Sequence, residues 1–462
     1  MRADAAGPVV LHAFRGGEWR TSLDTAALPG PRGAPYGLAL VPEIVVHADR
    51  RRWETARGGL PPLTGRRELL LRAVELFDRG TVTVGGLGAQ GPEDFRAALW
   101  ETAGLPGPLV DRWCGMLRDT LLKRGEAAAD DALALVALPG NTFTCLDSVL
   151  DQAERSAAVW VRPSRREPVS AARLVAALLA AGWPPLRIGL YPGEQHTLHG
   201  LVKRTDRQIV YGGTGLAASV RRSPALTLHG PGRGCALVPG AMPVDEAVAW
   251  LLPLVAGDSG RFCGNVRTIL CADGADGTDG ADGTDGTDGT GGAGQDGAEG
   301  AAGVTGADGT AGADGAAGAD GTDGAAGADG ADGADGGAGS GGARCAALAS
   351  ALAVALDAVS ADPTGPDWPL TVFRDPEAAH RALRSVHDRM RPGDRLLTRR
   401  PAVTEVDGAP CVLPRLVLLD RAAGHPLLGH EVPFPFAAVL TATPDTVRAA
   451  TADSLFVYRP AK

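Results

Sequence analysis

The sequence predicts an α/β protein built around a parallel, doubly wound sheet. Two observations carry that expectation. From about Asp130 onward, short apolar runs alternate with helical stretches, the pattern that packs helices on both faces of a parallel sheet. A long Gly- and Asp-rich tract then separates the strand-like run Thr268 to Cys271 from an Ala/Leu-rich helical stretch, Ala346 to Val359, so the tract interrupts a domain.

A chain of 462 residues with 44% hydrophobic content is long enough for two or more domains with cores. It has no apolar run that would span a bilayer, and its N-terminal stretch has no basic-then-apolar signal, so a cytoplasmic protein is expected. The seven cysteines are odd in number, scattered and free of any CxxC pair, which argues against a disulfide framework and a structural zinc site. The net charge is −9, but the tract 272–343 carries 15 acidic residues and no Lys or Arg, which leaves +6 on the rest. A mildly basic body suits an anionic ligand and is too weak a signal for nucleic acid.

Residues 1–60 mix short β-like pieces, Val9 to Leu11 and Gly37 to Val46, with Pro and Gly turns. Arg66 to Phe77, Pro92 to Thr102 and Leu109 to Leu122 have helical spacing, with Trp100 and Trp113 as core residues. The alternating region follows. Ala132 to Leu138 is an apolar run stopped by Pro-Gly-Asn, and Thr144 to Ser156 is a helix. The strand Ala157 to Val161 ends in Arg162-Pro163-Ser164, and Val169 to Ala181 is a helix. Arg187 to Tyr191, Gln208 to Tyr211 and Ala225 to Leu228 complete the strands. Sheets of this kind bind ligands at the C-terminal ends of their strands, where the loops at Asn141, Arg162 and Gly212 fall. A helix from Asp245 to Leu252 and a glycine turn lead to Cys263 and the next strand. Leu396 to Glu431 returns to strand-like segments.

The tract 272–343 has Gly at every third place with one phase slip, but no Pro, which excludes a collagen helix. One stretch, 291–296, matches the start of a calcium-binding β-roll repeat but lacks the apolar residue that stacks coils. Low hydrophobicity and charge of one sign predict a disordered surface insertion and no metal site.

Six short motifs carry chemistry, in a fixed order: Leu138-Pro139-Gly140-Asn141, Val161-Arg162-Pro163-Ser164, Tyr211-Gly212-Gly213-Thr214, Leu228 to Arg233, Gly260-Arg261-Phe262-Cys263 with Arg267, and Glu431 to Phe436. Read locally, Cys263 is a cysteine in a glycine turn, Asn141 a strand-end turn residue and His229 a turn histidine. As an ordered set they resemble the aldehyde dehydrogenase superfamily, and more closely its acyl-CoA/acyl-protein thioester reductase branch, typified by the fatty-acid reductase of bacterial luminescence. The resemblance covers residues 130–271 well and 344–440 loosely.

The resemblance implies a Rossmann-like doubly wound cofactor domain within residues 1–240 and a second α/β catalytic domain over 241–430. The catalytic domain would be interrupted by 272–343 and followed by a return segment, 431–462. It implies Cys263 as nucleophile and Asn141, with a backbone N–H, as oxyanion hole. Arg162 and Ser164 would contact the cofactor ribose, Gly213 and Thr214 would lie under the pyrophosphate, and Glu431 would meet the nicotinamide ribose. Pro433-Phe434 departs from the family's Phe-Gly at that last site.

Two departures sharpen the expected function. Ordinary aldehyde dehydrogenases place a Glu, which activates a hydrolytic water, where this chain has His229, and a Gly-Gly pair where it has Pro231-Gly232. A thioester reductase needs no such water, so reduction of an acyl thioester to an aldehyde is expected, with His229 available as a base. Arg165 stands near Arg162, Ser164 and Arg166, where NAD-preferring relatives carry an acidic residue. A guanidinium suits a 2′-phosphate, so NADPH (NADP) is the expected cofactor. The expected partner is an acyl thioester on coenzyme A or a carrier protein, with no nucleic acid and no membrane span; homo-oligomerisation is left open. An aldehyde-oxidising NAD(P)-dependent dehydrogenase and a degenerate, non-catalytic nucleotide-binding or interaction protein are the alternatives.

Overall fold

The computed structural model describes residues 8–30, 33–212, 224–272, 340–365, 370–421, 424–452 and 454–460. Gly213, Thr214 and the body of the Gly/Asp tract lie outside them.

Near the start, β1 (Val9–Leu11), β4 (Thr25–Gly30) and β5 (Gly33–Ala39) form a small sheet, while β2 (Ala13–Arg15) and β3 (Glu18–Arg20) form a hairpin. A second hairpin joins β6 (Val82–Val84) to β7 (Gly88–Gln90). The alternating region supplies β8 (Leu133–Ala137), β9 (Ala158–Arg162), β10 (Ile188–Leu190), β11 (Arg207–Tyr211) and β12 (Leu226–His229). These five run parallel in one sheet of order β12-β11-β8-β9-β10-β2-β3, closed at one edge by the antiparallel hairpin.

Why this sheet is buried on both faces is visible in β8, whose sequence LALVA is fully buried. Ala134 and Val136 face one apolar cluster, with the Arg66–Arg79 and Val169–Ala180 helices. Leu133, Leu135 and Ala137 face another, with the Glu43–Arg57 and Gln195–Lys203 helices. This period-two division is how a central parallel strand tolerates a continuous apolar run. The chain winds β8 to β9 to β10 in one direction, then crosses back to place β11 on the other side of β8. That reversal makes a topological switch point, where the loops after β8 and β11 part and leave a crevice.

The second large sheet has the order β15-β18-β19-β14-β13-β20. It contains β13 (Gly234–Val238), β14 (Val266–Cys271), β15 (Arg395–Leu396), β18 (Arg415–Leu418), β19 (Phe436–Thr441) and β20 (Val457–Tyr458). All neighbours are parallel except β15 and β18. A third hairpin, β16 (Val403–Val406) with β17 (Ala409–Val412), lies beside it. The Val244–Ala256 and Ser340–Asp357 helices pack together on this second unit. The architecture is therefore the expected one, two α/β units.

Two local expectations change. The β-like piece expected over Gly37 to Val46 ends early, and a helix begins at Glu43. Pro42 caps it in extended geometry, and Val46, Asp49 and Trp53 recur at helical spacing on its buried side. The β-branched Val45-Val46 pair resembled a strand locally, but the longer period decides. Residues 340–343, expected in the insertion, already belong to the Ser340–Asp357 helix. Ala272, the last described residue before the tract, lies just past the C-terminal end of β14, whereas Cys263 precedes its N-terminal end. Six extended residues separate those ends by about 20 Å.

Candidate active site

The N-terminal ends of β13, β14, β19 and β20 converge on the loop that carries Cys263. That loop begins in an unusual turn after the Val244–Ala256 helix. Asp258, Ser259 and Gly260 are consecutive left-handed residues, with φ of 51°, 56° and 64°. Non-glycine residues in that region cost about 1 kcal/mol or more each, so something must hold them. Asp258 accepts from the indole N–H of Trp113 at 2.9 Å. Ser259 Oγ accepts the Thr371 N–H at 2.9 Å. At Gly260 any Cβ would stand 2.6 Å from the Phe434–Pro435 peptide. Its carbonyl accepts from Arg267.

Arg267 lies under the loop, 2% exposed. It also donates to the carbonyls of Val432 at 3.0 Å and Phe434 at 3.1 Å, tying the segment before β19 to the cysteine turn. Burial pulls its pKa down to about 10. Asn265 closes the other side. Its Oδ1 accepts the Phe262 N–H at 2.7 Å and its Nδ2 donates to the Gly257 carbonyl at 2.9 Å. Tyr458, on β20, donates its hydroxyl to the Gly264 carbonyl at 2.7 Å.

Between these anchors Cys263 is exposed. Its pKa is nevertheless raised, first by the crowding of protein around the thiol and then by the Glu431 carboxylate. The neighbouring N–H groups of Cys263 and Gly264 and the Arg267 charge oppose the rise. Gly232 passes directly against the loop: a Cβ there would lie 1.9 Å from the Cys263 carbonyl oxygen.

The first sheet meets this loop with its C-terminal strand ends. Asn141 follows β8, and its side-chain amide donates to the Arg261 carbonyl, two residues before Cys263. Phe262 stacks on Trp113, ring centroids 5.5 Å apart, so the residue beside the thiol belongs to the apolar core of the first unit. Arg261 is half-buried and near Glu167, itself buried and bonded to Ser170.

At the end of β9, Arg162 donates to the Gly193 carbonyl at 3.0 Å, while its Nε is buried without an acceptor. Ser164 Oγ accepts the Arg166 N–H at 3.2 Å. A Cβ on Gly140 would stand 2.5 Å from Ser164 Oγ, so the β8 and β9 loops are packed together. An orphaned guanidinium N–H beside a serine and further arginines, at the C-terminal end of β9, is a donor set that fits the ribose and phosphate oxygens of a dinucleotide. Arg165 is ion-paired with Glu194, which follows β10. Sequence reasoning passed over Glu194, although adjacent parallel strands bring their trailing loops together.

His229 ends β12 opposite Tyr211 on β11, and the two rings stack at 4.5 Å and 14°. Burial lowers its pKa, which keeps the imidazole neutral. Tyr211 hydroxyl meets Ser148 Oγ at 2.7 Å. Glu431 is engaged with backbone: its Oε1 accepts the N–H groups of Gly232 at 2.6 Å and Arg233 at 3.3 Å. Of the nine residues singled out in the sequence, Cys263, Asn141 and Glu431 meet around one loop, and Arg162, Ser164 and Arg165 gather at the β9 end. His229 is at the end of β12, and Gly213 and Thr214 lie outside the described residues. Trp113, Asn265 and Tyr458 were missed as parts of this site. Trp113 read as core, which it also is, and a two-residue strand near the C-terminus gives no local signal for Tyr458.

No protein-family model and no curated protein sequence matches this chain. Solved structures do. A NAD-dependent benzaldehyde dehydrogenase from Corynebacterium glutamicum superposes with a TM-score of 0.67 at 12% identity, over 98% of this chain and 89% of that one. The NADP-dependent glyceraldehyde-3-phosphate dehydrogenase from Bacillus halodurans C-125, complexed with NADP, gives 0.63 at 13% identity over 96% and 84%. Proline utilization A from Bdellovibrio bacteriovorus gives 0.65 at 13% identity over 97% of this chain, which spans 43% of that longer protein. By its two α/β units and their superposition on these enzymes, the chain has the aldehyde dehydrogenase fold.

Proposed function

We propose that this protein reduces an acyl thioester to an aldehyde with NADPH, through a thioester on Cys263. The observation that carries the reading is the exposed Cys263 on a loop that Asn141 reaches from the facing unit. The wider class, an oxidoreductase acting on an aldehyde-level carbon, is supported by the fold of its structural neighbours.

The Cys263 thiolate adds to the thioester carbonyl, and the oxygen takes the displaced electron pair. Asn141 has a second amide hydrogen besides the one given to Arg261, and with a backbone N–H it stabilises that oxyanion. The tetrahedral centre collapses with loss of the carrier thiolate, leaving the acyl group on Sγ. NADPH, when bound, supplies the hydride that reduces the acyl carbon. Cys263 then leaves as thiolate and the aldehyde departs. Glu431, pinned to Gly232 and Arg233, holds the neighbouring loop in register with the nucleophile.

NADPH is preferred over NADH in this reading because Arg162 and Arg166 flank Ser164, with Arg165 able to exchange Glu194 for a 2′-phosphate. A lower KM for NADH than for NADPH would sink that part. The reaction itself is tested by NADPH consumption dependent on an acyl-CoA panel, with Cys263→Ala expected to abolish it; aldehyde production by that variant would overturn the assignment. Aldehyde oxidation is the second reading, favoured by the neutral His229 ring as a base for water. Free acid formed from aldehyde and NADP, lost in His229→Ala, would favour it.

A further inference from the structure

Two loops meet at Cys263, and one short C-terminal segment holds both. β20 has two residues, yet the chain around it, 454–458, bonds to each side of the candidate nucleophile. Toward the loop before β13, the Leu455 N–H donates to the Gly232 carbonyl at 2.9 Å and the Ser454 hydroxyl to the Arg233 carbonyl at 2.9 Å. The Cys235 N–H donates to the Phe456 carbonyl at 2.9 Å, and β20 then runs parallel to β13 with Tyr458 opposite Ala236. From that register Tyr458 reaches the cysteine turn, where its hydroxyl donates to the Gly264 carbonyl at 2.7 Å. A Cβ on Gly264 would stand 3.0 Å from the hydroxyl oxygen, so the residue beside the thiol is small where the phenol arrives.

That bond falls on the tip of the turn. Asn265 ties the base, accepting the Phe262 N–H and donating to the Gly257 carbonyl. Cys263 and Gly264 stand between the tied residues, with Gly232 pressed on the Cys263 carbonyl from the facing loop. We infer that Tyr458 is a positioning residue for Cys263, and that residues 454–458 are a clasp fixing the cysteine turn against the Gly232 loop. The inference rests on Cys263 being the nucleophile. By holding Gly264, the hydroxyl keeps the N–H of that residue near the sulfur, where it favours the thiolate.

Iodoacetamide labelling of Cys263 in the full chain, followed by peptide mapping across pH, tests this without substrate or cofactor. Tyr458→Phe keeps the ring and removes the hydroxyl. The labelling midpoint should rise, and the rate at pH 7 should fall about threefold. Gly264→Ala should act in the same direction by crowding the hydroxyl away, and the two changes together should be less than additive, because they break one bond. Leu455→Ala trims a side chain that is 62% exposed and keeps the backbone bond to Gly232, so it should label like the unaltered chain. With an acyl thioester, Tyr458→Phe should lower kcat about threefold and leave KM for NADPH unchanged, since the Arg162 loop is untouched. Slower labelling in Tyr458→Phe supports the clasp even where no acyl thioester turns over, an outcome that sinks the thioester reading alone. A midpoint that stays or falls in Tyr458→Phe, or full additivity with Gly264→Ala, would overturn the inference.

Discussion

The Trp113 indole N–H donates to Oδ1 of Asp258 across 2.9 Å, joining a core residue of the first unit to the left-handed turn that launches the cysteine loop. Burial raises the pKa of Asp258, and Arg112 and this bond oppose the rise. Trp113→Phe keeps the ring stacked on Phe262 and deletes only the donor. It should cost about 1–3 kcal/mol, because a buried carboxylate loses a partner. Denaturant unfolding measures the loss, and faster alkylation of Cys263 would report the loosened turn.

Glu431 acts on the nucleophile through charge. It is the second-largest cause of the raised Cys263 pKa, after burial. Removing its negative charge in Glu431→Gln should lower the thiol pKa. The pH midpoint for iodoacetamide labelling of Cys263 should therefore move down, with faster labelling near neutral pH. A midpoint that stays or rises contradicts this.

Gly232 is a steric requirement. A methyl group there would meet the Cys263 carbonyl oxygen at 1.9 Å, and that atom is backbone. Gly232→Ala should destabilise by about 1–3 kcal/mol or more and displace the cysteine loop. Thermal unfolding and loss of turnover check it together.

His430 sets an acid limit. Burial first, then the Arg389 and Arg267 charges, lower its pKa to about 4, below the reference near 6.5. The unfolded chain binds that proton more readily, so the stabilisation is complete above about pH 6.5 and is lost as pH falls toward 4. Its partial exposure to solvent screens the effect, which should be on the order of 1 kcal/mol. His430→Gln should flatten the stability profile over that window while leaving the alkaline side unchanged.

Much of the first unit was legible because its signals are local. The apolar runs of β8 and β9, the Val169–Ala180 helix and the loops at Asn141 and Arg162 each announce themselves within a few residues. The Glu43–Arg57 helix was hidden by β-branched residues at its start. Cys263 was legible only through the order of motifs. What holds it is long-range: Trp113 lies 145 residues before Asp258, and Tyr458 lies 194 residues after Gly264. No local period encodes such contacts. Glu194 shows the same limit, since its approach to Arg165 depends on β9 and β10 being neighbours.

The central claim is that Cys263 accepts an acyl group from a thioester. Intact-protein mass spectrometry after incubation with a panel of acyl-CoA thioesters, without cofactor, tests it most directly. The account predicts a single acyl adduct, mapped to Cys263, absent from Cys263→Ala and released on adding NADPH. No adduct across the panel, or an adduct that persists in Cys263→Ala, would contradict it.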